Sequence, residues 1–105
     1  MARVWVLVND TLAAEKSCYL TYEPQTGTAY LNDGGRMLLK DGKRLANPQC
    51  EWDGGESVVT VSGAIVDLRL RVRRKPMFRG PKRVWAADQK TEGKVSPWNL
   101  VGVWK

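Results

Sequence analysis

The sequence contains no histidine and only two cysteines, and none of its apolar runs approaches the length of a membrane helix. Without histidine a protein lacks the usual general base, the histidine-dependent nucleophilic triads and the commonest metal ligand. Two thiols alone do not complete a structural zinc site. A transmembrane helix needs roughly 20 consecutive apolar residues. These absences argue against zinc proteins, triad hydrolases and helical membrane spans.

Carboxylates remain as candidates for metal binding or acid–base chemistry, and they are scattered along the chain. Asp33, Asp41 and Asp53 each precede a glycine, which is typical of turns. The sequence has no D-x-D-x-D loop of the calcium-binding type, so we expect neither a metal nor a cofactor. A small metal-free hydrolase using carboxylates or a lysine is the alternative from the enzyme class, although no spacing selects a catalytic pair.

Basic residues exceed acidic ones, with 17 Lys plus Arg against 11 Asp plus Glu and a formal charge of +6. This balance favours acidic partners such as nucleic acid, an anionic polysaccharide or an acidic protein surface. The hydrophobic fraction of 43% and the five tryptophans support a packed core. At 105 residues, we expect a single domain over residues 1–105.

Apolar residues recur at every second position, which is the period of a β-strand. Strand-like segments are "RVWVLV", "CYLTY", "TAYLND", "RMLLK", "SVVTV", "VDLRLRV", "KRVWAAD" and "WNLVGVWK". Turn signals separate them at "EPQTG", "DGG", "DGK", "WDGGE" and "SGA". The pattern predicts an all-β fold, an antiparallel sandwich of seven or eight short strands.

Cys18 and Cys50 form either one disulfide or two buried thiols. An even count in a small β-rich chain favours the disulfide, which would place the protein outside the reducing cytosol. The alternative is an intracellular nucleic-acid-binding protein with both thiols reduced.

Several short motifs occur in a fixed order: "SCYLTY", "TGTAYLND", "NPQC", "VTVSGAIVDLRLRV", "KPMFRGPK", "WAAD", "SPWN" and "GVW". Together they resemble an immunoglobulin-like β-sandwich module found within, or at the C-terminus of, large secreted and surface proteins of bacteria. The matching positions include Lys75, Pro76, Phe78, Gly80, Lys82, Trp98 and Trp104. The resemblance implies that Cys18 and Cys50 are paired, that the protein is secreted or on the cell surface, and that it is a non-catalytic recognition or structural module.

The chain departs from that family in its long strand, where Arg69, Arg71 and Arg73 replace small hydroxyl residues. Alternate strand residues lie about 6.6 Å apart on one face, close to the spacing of phosphates along an extended single strand, and arginine binds phosphate and carboxylate in bidentate fashion. The predicted site for a polyanion or an acidic partner comprises Arg69, Arg71, Arg73, Arg79, Lys82 and Arg83.

The opposing interpretation is that the arginines form the solvated outer side of a strand. In that case they pair with carboxylates on neighbouring strands, for which the candidates are Glu51, Asp53, Glu56 and Asp67.

Two further predictions concern tryptophan and the first strand. Trp52 and Trp98 lie in turn-like segments, so we consider them partly exposed candidates for stacking on a base or a sugar ring. The first strand, Val4 to Val8, is apolar on both faces. Both faces must therefore be covered, and a homodimer through this strand is one way to cover them.

Overall fold

The computed structural model describes residues 2–62 and 65–105. Within these residues the chain forms nine β-strands and one 3₁₀ turn, Leu39–Asp41. The strands are β1 (Arg3–Asn9), β2 (Cys18–Glu23), β3 (Thr28–Leu31), β4 (Gly35–Leu38), β5 (Arg44–Ala46), β6 (Cys50–Ser62), β7 (Ile65–Arg74), β8 (Lys82–Gln89) and β9 (Asn99–Trp104). The turn predicted at "SGA" falls on Gly63 and Ala64, which lie outside the described residues. No helix in the described part is long and apolar enough to cross a membrane.

The strands form two antiparallel sheets, which confirms the predicted all-β class. The larger sheet has six strands in the order β4-β3-β2-β1-β8-β9, and the smaller has three in the order β5-β6-β7. The described strands number nine rather than seven or eight, in part because the three-residue β5 follows the "DGK" turn and is too short to show a period-two pattern.

One core lies between the two sheets and explains the period-two pattern. From the larger sheet, β2 contributes Leu20 and Tyr22 and β3 contributes Ala29 and Leu31, all at alternate positions. Trp52 of the smaller sheet fills the space opposite them and is completely buried. Alternate strand residues point to the same face, so each strand buries every second side chain. Burial of such side chains contributes about 25 cal/mol per Å² of apolar surface.

A disulfide joins the two sheets, as the cysteine count and the resemblance predicted. Cys18 opens β2 and Cys50 opens β6, and their Cα atoms are 5.8 Å apart. Asn47, which is also buried, accepts hydrogen bonds at Oδ1 from the backbone N–H groups of Gln49 and Cys50 at 2.8 and 2.9 Å. Its Nδ2 donates to the carbonyl oxygen of Ser17 at 3.1 Å. Asn47 thus fixes the backbone on both sides of the disulfide.

The turn predicted at "WDGGE" is wrong, because β6 runs through it. The pairing register with β7 shifts between Asp53 and Val58, which marks a bulge. Ser57 holds this bulge: its Oγ donates to the carbonyl of Asp53 at 2.7 Å and accepts from the backbone N–H of Arg71 at 3.0 Å. Glycine is required at 54 because a Cβ there would lie 2.8 Å from the carbonyl oxygen of Lys43.

Both faces of β1 are covered, as its sequence predicted. Val8 is buried in the core and Leu7 is buried on the opposite face. On that outer face Trp98 packs against Trp5 and Tyr19, with ring centroids 6.5 and 5.9 Å apart. The same chain therefore supplies part of the cover. Because β1 pairs with β2 on one side and β8 on the other, neither of its edges is open to a partner strand, and the homodimer through this strand stays a prediction.

Candidate functional site

The predicted arginine row lies on β7 with the orientation that the alternation indicated. Arg69, Arg71 and Arg73 are exposed, whereas Leu70 and Val72 between them are half-buried and pack against the core. The guanidinium groups therefore face solvent on the outer side of the smaller sheet. Their role in binding stays a prediction.

Carboxylates are interleaved with this arginine row. Arg71 Nε lies 3.4 Å from Glu56 Oε2, and Arg69 Nε lies 3.8 Å from Asp67 Oδ2. In the β6–β7 pairing, Arg73 is directly opposite Glu51. The acidic neighbours are thus on the same strand, in the bulge and on the paired strand.

The third strand of the sheet extends the same ion-pair network. Arg44 of β5 reaches Glu51 at 3.8 Å and Asp53 at 3.5 Å. The charged strand residues on this outer face are therefore four arginines, 44, 69, 71 and 73, and four carboxylates, 51, 53, 56 and 67, so that their formal charges sum to zero. Exposed pairs of this kind stabilise a fold by about 0–1 kcal/mol each. The geometry favours the solvated-face interpretation of the row over a positively charged binding stripe.

The excess positive charge of the protein is instead concentrated between residues 73 and 83. This segment contains six cations and no acidic residue. It includes the loop between β7 and β8, which Phe78 anchors by inserting into the core. Two prolines, Pro76 and Pro81, bracket the loop and keep it out of the sheet pairing.

Arg73 already belongs to the neutral outer face of the smaller sheet, and two of the other five cations are used within the protein. Lys82 was predicted to bind a partner, but only 7% of its surface is exposed. Its Nζ donates to both carboxylate oxygens of Asp10 at 3.1 Å and lies 4.6 Å from the ring centre of Phe78. The prediction for Lys82 as an exposed binding residue is therefore wrong, because burial of its ammonium group requires an internal partner.

Arg74 is the second cation that is used within the protein, and it was not among the binding residues predicted from sequence. Its guanidinium donates to the carbonyl oxygens of Gly80 at 2.7 Å and Trp104 at 2.6 Å. It also lies 4.6 Å from the ring centre of Trp104, a cation–π distance. Arg74 thus connects β7, the loop and the end of β9.

The cations that remain available at this end of the protein form what we call the basic end: Lys75, Arg79, Arg83 and Lys105. Arg79 and Arg83 are exposed, and Arg79 Nε donates to the carbonyl of Pro76 at 3.1 Å. Lys105 follows Trp104, whose partner in β8 is Lys82, so it extends past the same end of the larger sheet. Within residues 2–62 and 65–105, no carboxylate forms an ion pair with these four. Of the predicted residues, Arg79 lies in the loop and Arg83 on β8 of the larger sheet, whereas Arg69 and Arg71 lie on β7 of the smaller sheet.

The two stacking candidates differ in exposure. Trp52 is completely buried and its Nε1 donates to Ser57 Oγ at 3.1 Å, so its predicted partial exposure is wrong. The error follows from the misread turn, because a residue in a continuous strand points into the core at alternate positions. Trp98 is half-buried against Trp5 and Tyr19, and its stacking role stays a prediction.

The surroundings of Glu23 oppose a role as a general acid. The hydroxyl of Tyr30 donates to Glu23 at 2.6 Å, and Arg3 Nε lies 3.2 Å from the other carboxylate oxygen. The hydrogen bond from Tyr30, followed by that from Arg3, lowers the pKa of Glu23. This keeps Glu23 ionised, the wrong state for a general acid. Within the described residues no group of three or more acidic or cysteine side chains is placed to hold a metal ion.

Comparison with protein-family models, curated proteins and solved structures finds no significant match to this chain.

Proposed function

We propose that the protein is a non-catalytic recognition module that binds an anionic polysaccharide through its basic end. The observation that carries the proposal is that the segment 73–83 has no acidic residue, that Lys75, Arg79 and Arg83 form no ion pair among the described residues, and that Arg79 and Arg83 are exposed. Clustered positive charge raises the local concentration of a polyanion and speeds its association. The neutral outer face of the smaller sheet serves solubility in this proposal.

The disulfide supports a location outside the cytosol. Disulfides persist in oxidising compartments and are rare where glutathione and thioredoxin keep thiols reduced. The Cys18–Cys50 bridge joins the two sheets within the core. In a secreted module it would hold the sheets together. An extracellular polysaccharide is the polyanion that such a module meets first. The intracellular nucleic-acid-binding alternative has no specific observation in its favour.

The immunoglobulin-like family assignment is part of the same proposal. It is supported by the order of the sequence motifs, the antiparallel pairing of all strands and the bridge between β2 and β6. A module of this kind would present its ligand surface from loops and sheet ends while the sheets provide rigidity. The metal-free hydrolase alternative would need two neighbouring carboxylates without cationic partners, whereas Glu51, Asp53 and Glu56, which line one pocket, each lie within 3.8 Å of an arginine.

The experiment compares two triple variants that remove the same charge from different places. The basic-end variant is Lys75→Ser, Arg79→Ser, Arg83→Ser, and the matched control is Arg69→Ser, Arg71→Ser, Arg73→Ser. Affinity for heparin is measured as a function of salt for both and for the unaltered protein. We expect the basic-end variant to lose most of the affinity and to lower the slope of log K against log salt by roughly one per lost contact. The control variant should keep most of the affinity for heparin and most of the slope of log K against log salt.

Equal losses in the two variants would mean that only net charge matters, and the basic end would have no special role. Affinity of the unaltered protein that is absent, or that is indifferent to salt, would overturn the proposal. Duplex DNA of equal charge density is the comparison ligand. Tighter binding to DNA than to heparin would move the function to nucleic acid.

A further inference from the structure

The two sheets have four edge strands within the described residues: β4 and β9 in the larger sheet, β5 and β7 in the smaller. An open edge presents unpaired backbone N–H and C=O groups, and proteins protect it with charged side chains or short strands. β4 carries Arg36, β5 carries Arg44, and β7 carries arginine at alternate positions. β9 has no charged residue from Asn99 to Trp104. Its edge therefore lacks the charged side chains that protect the other three, although the strand contains a bulge.

The side chains of β9 are also apolar and exposed. Leu100, Val101 and Val103 expose 58, 61 and 55% of their surface. β8 occupies one side of the strand, and no other described strand pairs with its second side. Exposed apolar side chains beside an unpaired backbone edge are the features of a surface that accepts another strand.

A bulge in β9 makes the strand complementary to itself. Leu100 pairs with Trp85 and Val103 pairs with Arg83, while the register shift leaves Val101 as the extra residue. Arg83 and Trp85 are two positions apart on β8 and share a face, so Leu100 and Val103 also share a face although they are three positions apart.

We propose that β9 pairs in antiparallel fashion with β9 of a second copy of this chain, around a two-fold axis between Val101 and Gly102. In this register Leu100 lies opposite Val103 of the partner subunit, on the same face, and the interface contains that apolar pair twice. Val101 lies opposite Gly102 of the partner subunit, where no side chain obstructs it. The two larger sheets become one continuous sheet.

A second copy fits this edge better than a charged partner does. A two-fold axis makes the interface isologous, so a single self-complementary register satisfies both chains. No like charges oppose one another between Asn99 and Trp104. The two Lys105 residues are seven positions apart along the pair, about 24 Å, which is well beyond the screening length of about 8 Å at physiological salt. Repulsion between the two Lys105 side chains is therefore largely screened in the dimer.

The oligomeric state tests the proposal, with Val101→Lys as the disrupting variant and Ile65→Lys as the control. Ile65 is 71% exposed and lies on the edge strand β7, so the control adds the same charge to another exposed apolar edge position. Sedimentation equilibrium over a concentration series should show a dimer for the unaltered protein and the control. Val101→Lys should be monomeric, and its melting temperature should equal that of the unaltered protein at dilutions where the latter is also monomeric, because dimerisation raises the melting temperature by mass action. If that variant is misfolded, Val103→Lys replaces it.

Cross-linking tests the register. A mixture of Leu100→Cys and Val103→Cys chains should form a heterodimeric disulfide, because directly opposed Cβ atoms lie about 4.5–5.5 Å apart. Leu100→Cys alone should cross-link poorly, since two copies of position 100 are about 10 Å apart along the strands. A monomeric unaltered protein at millimolar concentration, a dimer that survives Val101→Lys and Val103→Lys, or preferential self-linking of Leu100→Cys would each overturn the proposal.

Discussion

Arg74 and Trp104 join the two sheets at the end of the protein where β7 and β9 finish. The guanidinium of Arg74 donates a hydrogen bond of 2.6 Å to the carbonyl oxygen of Trp104 and lies 4.6 Å from the centre of its ring. Among the described strands only β8 pairs with β9, and Trp104 also packs against the core, so the Arg74 contact adds a direct link from β9 to the smaller sheet. The pair therefore fixes the strand whose outer edge we propose as an interface.

Replacing Arg74 with methionine should destabilise the protein by about 2–4 kcal/mol. The change removes two charge-assisted hydrogen bonds and a cation–π contact, and it leaves the carbonyls of Gly80 and Trp104 without their donor. Urea unfolding measures the effect. The adjacent Arg73→Met is the control, because that exposed side chain should contribute no more than about 1 kcal/mol. Equal losses for the two variants would contradict a special role for Arg74.

Removing the disulfide by the paired change Cys18→Ala, Cys50→Ala should lower the free energy of unfolding by about 3–4 kcal/mol. The bridge closes a loop with a sequence separation of 32, and the unfolded chain gains the corresponding entropy when it opens. Chemical denaturation of the variant is compared with that of the reduced unaltered protein, and the two midpoints should coincide. Titration of the untreated protein under denaturing conditions should find no free thiol.

The pair of Tyr30 and Glu23 should make stability depend on pH at both ends of the range. Because the pKa of Glu23 is lowered from its ordinary value of 4.5, the ionised carboxylate stabilises the fold above pH 4.5. This stability is lost as the pH falls through the pKa of Glu23 in the folded state. The pKa of Tyr30 is raised above 10.0, chiefly by its hydrogen bond to Glu23. That contribution is present below pH 10 and is lost as the pH rises through the folded value.

The variant Tyr30→Phe should therefore be less stable than the unaltered protein in the neutral range, with a difference that shrinks towards acid and towards alkali. Denaturation midpoints measured across the pH range provide the check. Glu23→Gln should remove the acid-side dependence as well. A difference that does not vary with pH would mean that the hydrogen bond does not form in solution.

The triple change Arg69→Ser, Arg71→Ser, Arg73→Ser should move the melting temperature by only a few degrees. All three arginines are exposed, and the ion pairs of Arg69 with Asp67 and of Arg71 with Glu56 are worth about 0–1 kcal/mol each. Calorimetry of the variant measures the shift. A loss of cooperative unfolding would show instead that the ion-pair network on the smaller sheet is a structural requirement.

The local features of this fold could be predicted from sequence. The period-two alternation in β2, β3 and β7 predicted which side chains face the core, because side-chain direction in a strand depends only on position. It placed Leu68 inside and Arg69 outside correctly. The disulfide followed from two cysteines and a family resemblance, since no other partner is available to either thiol.

The features that decide the candidate site were set by long-range contacts. Lys82 is buried because Asp10, 72 residues away in sequence, lies beside it, and Trp52 is buried because a bulge held by Ser57 keeps β6 continuous. Whether an apolar strand is interior, like β1, or open at the edge, like β9, depends on strand order. Composition and alternation do not encode that order, because it arises from pairing between segments distant in the chain. The sequence determined the faces of the strands, and the tertiary structure decided which faces, charges and edges remain available.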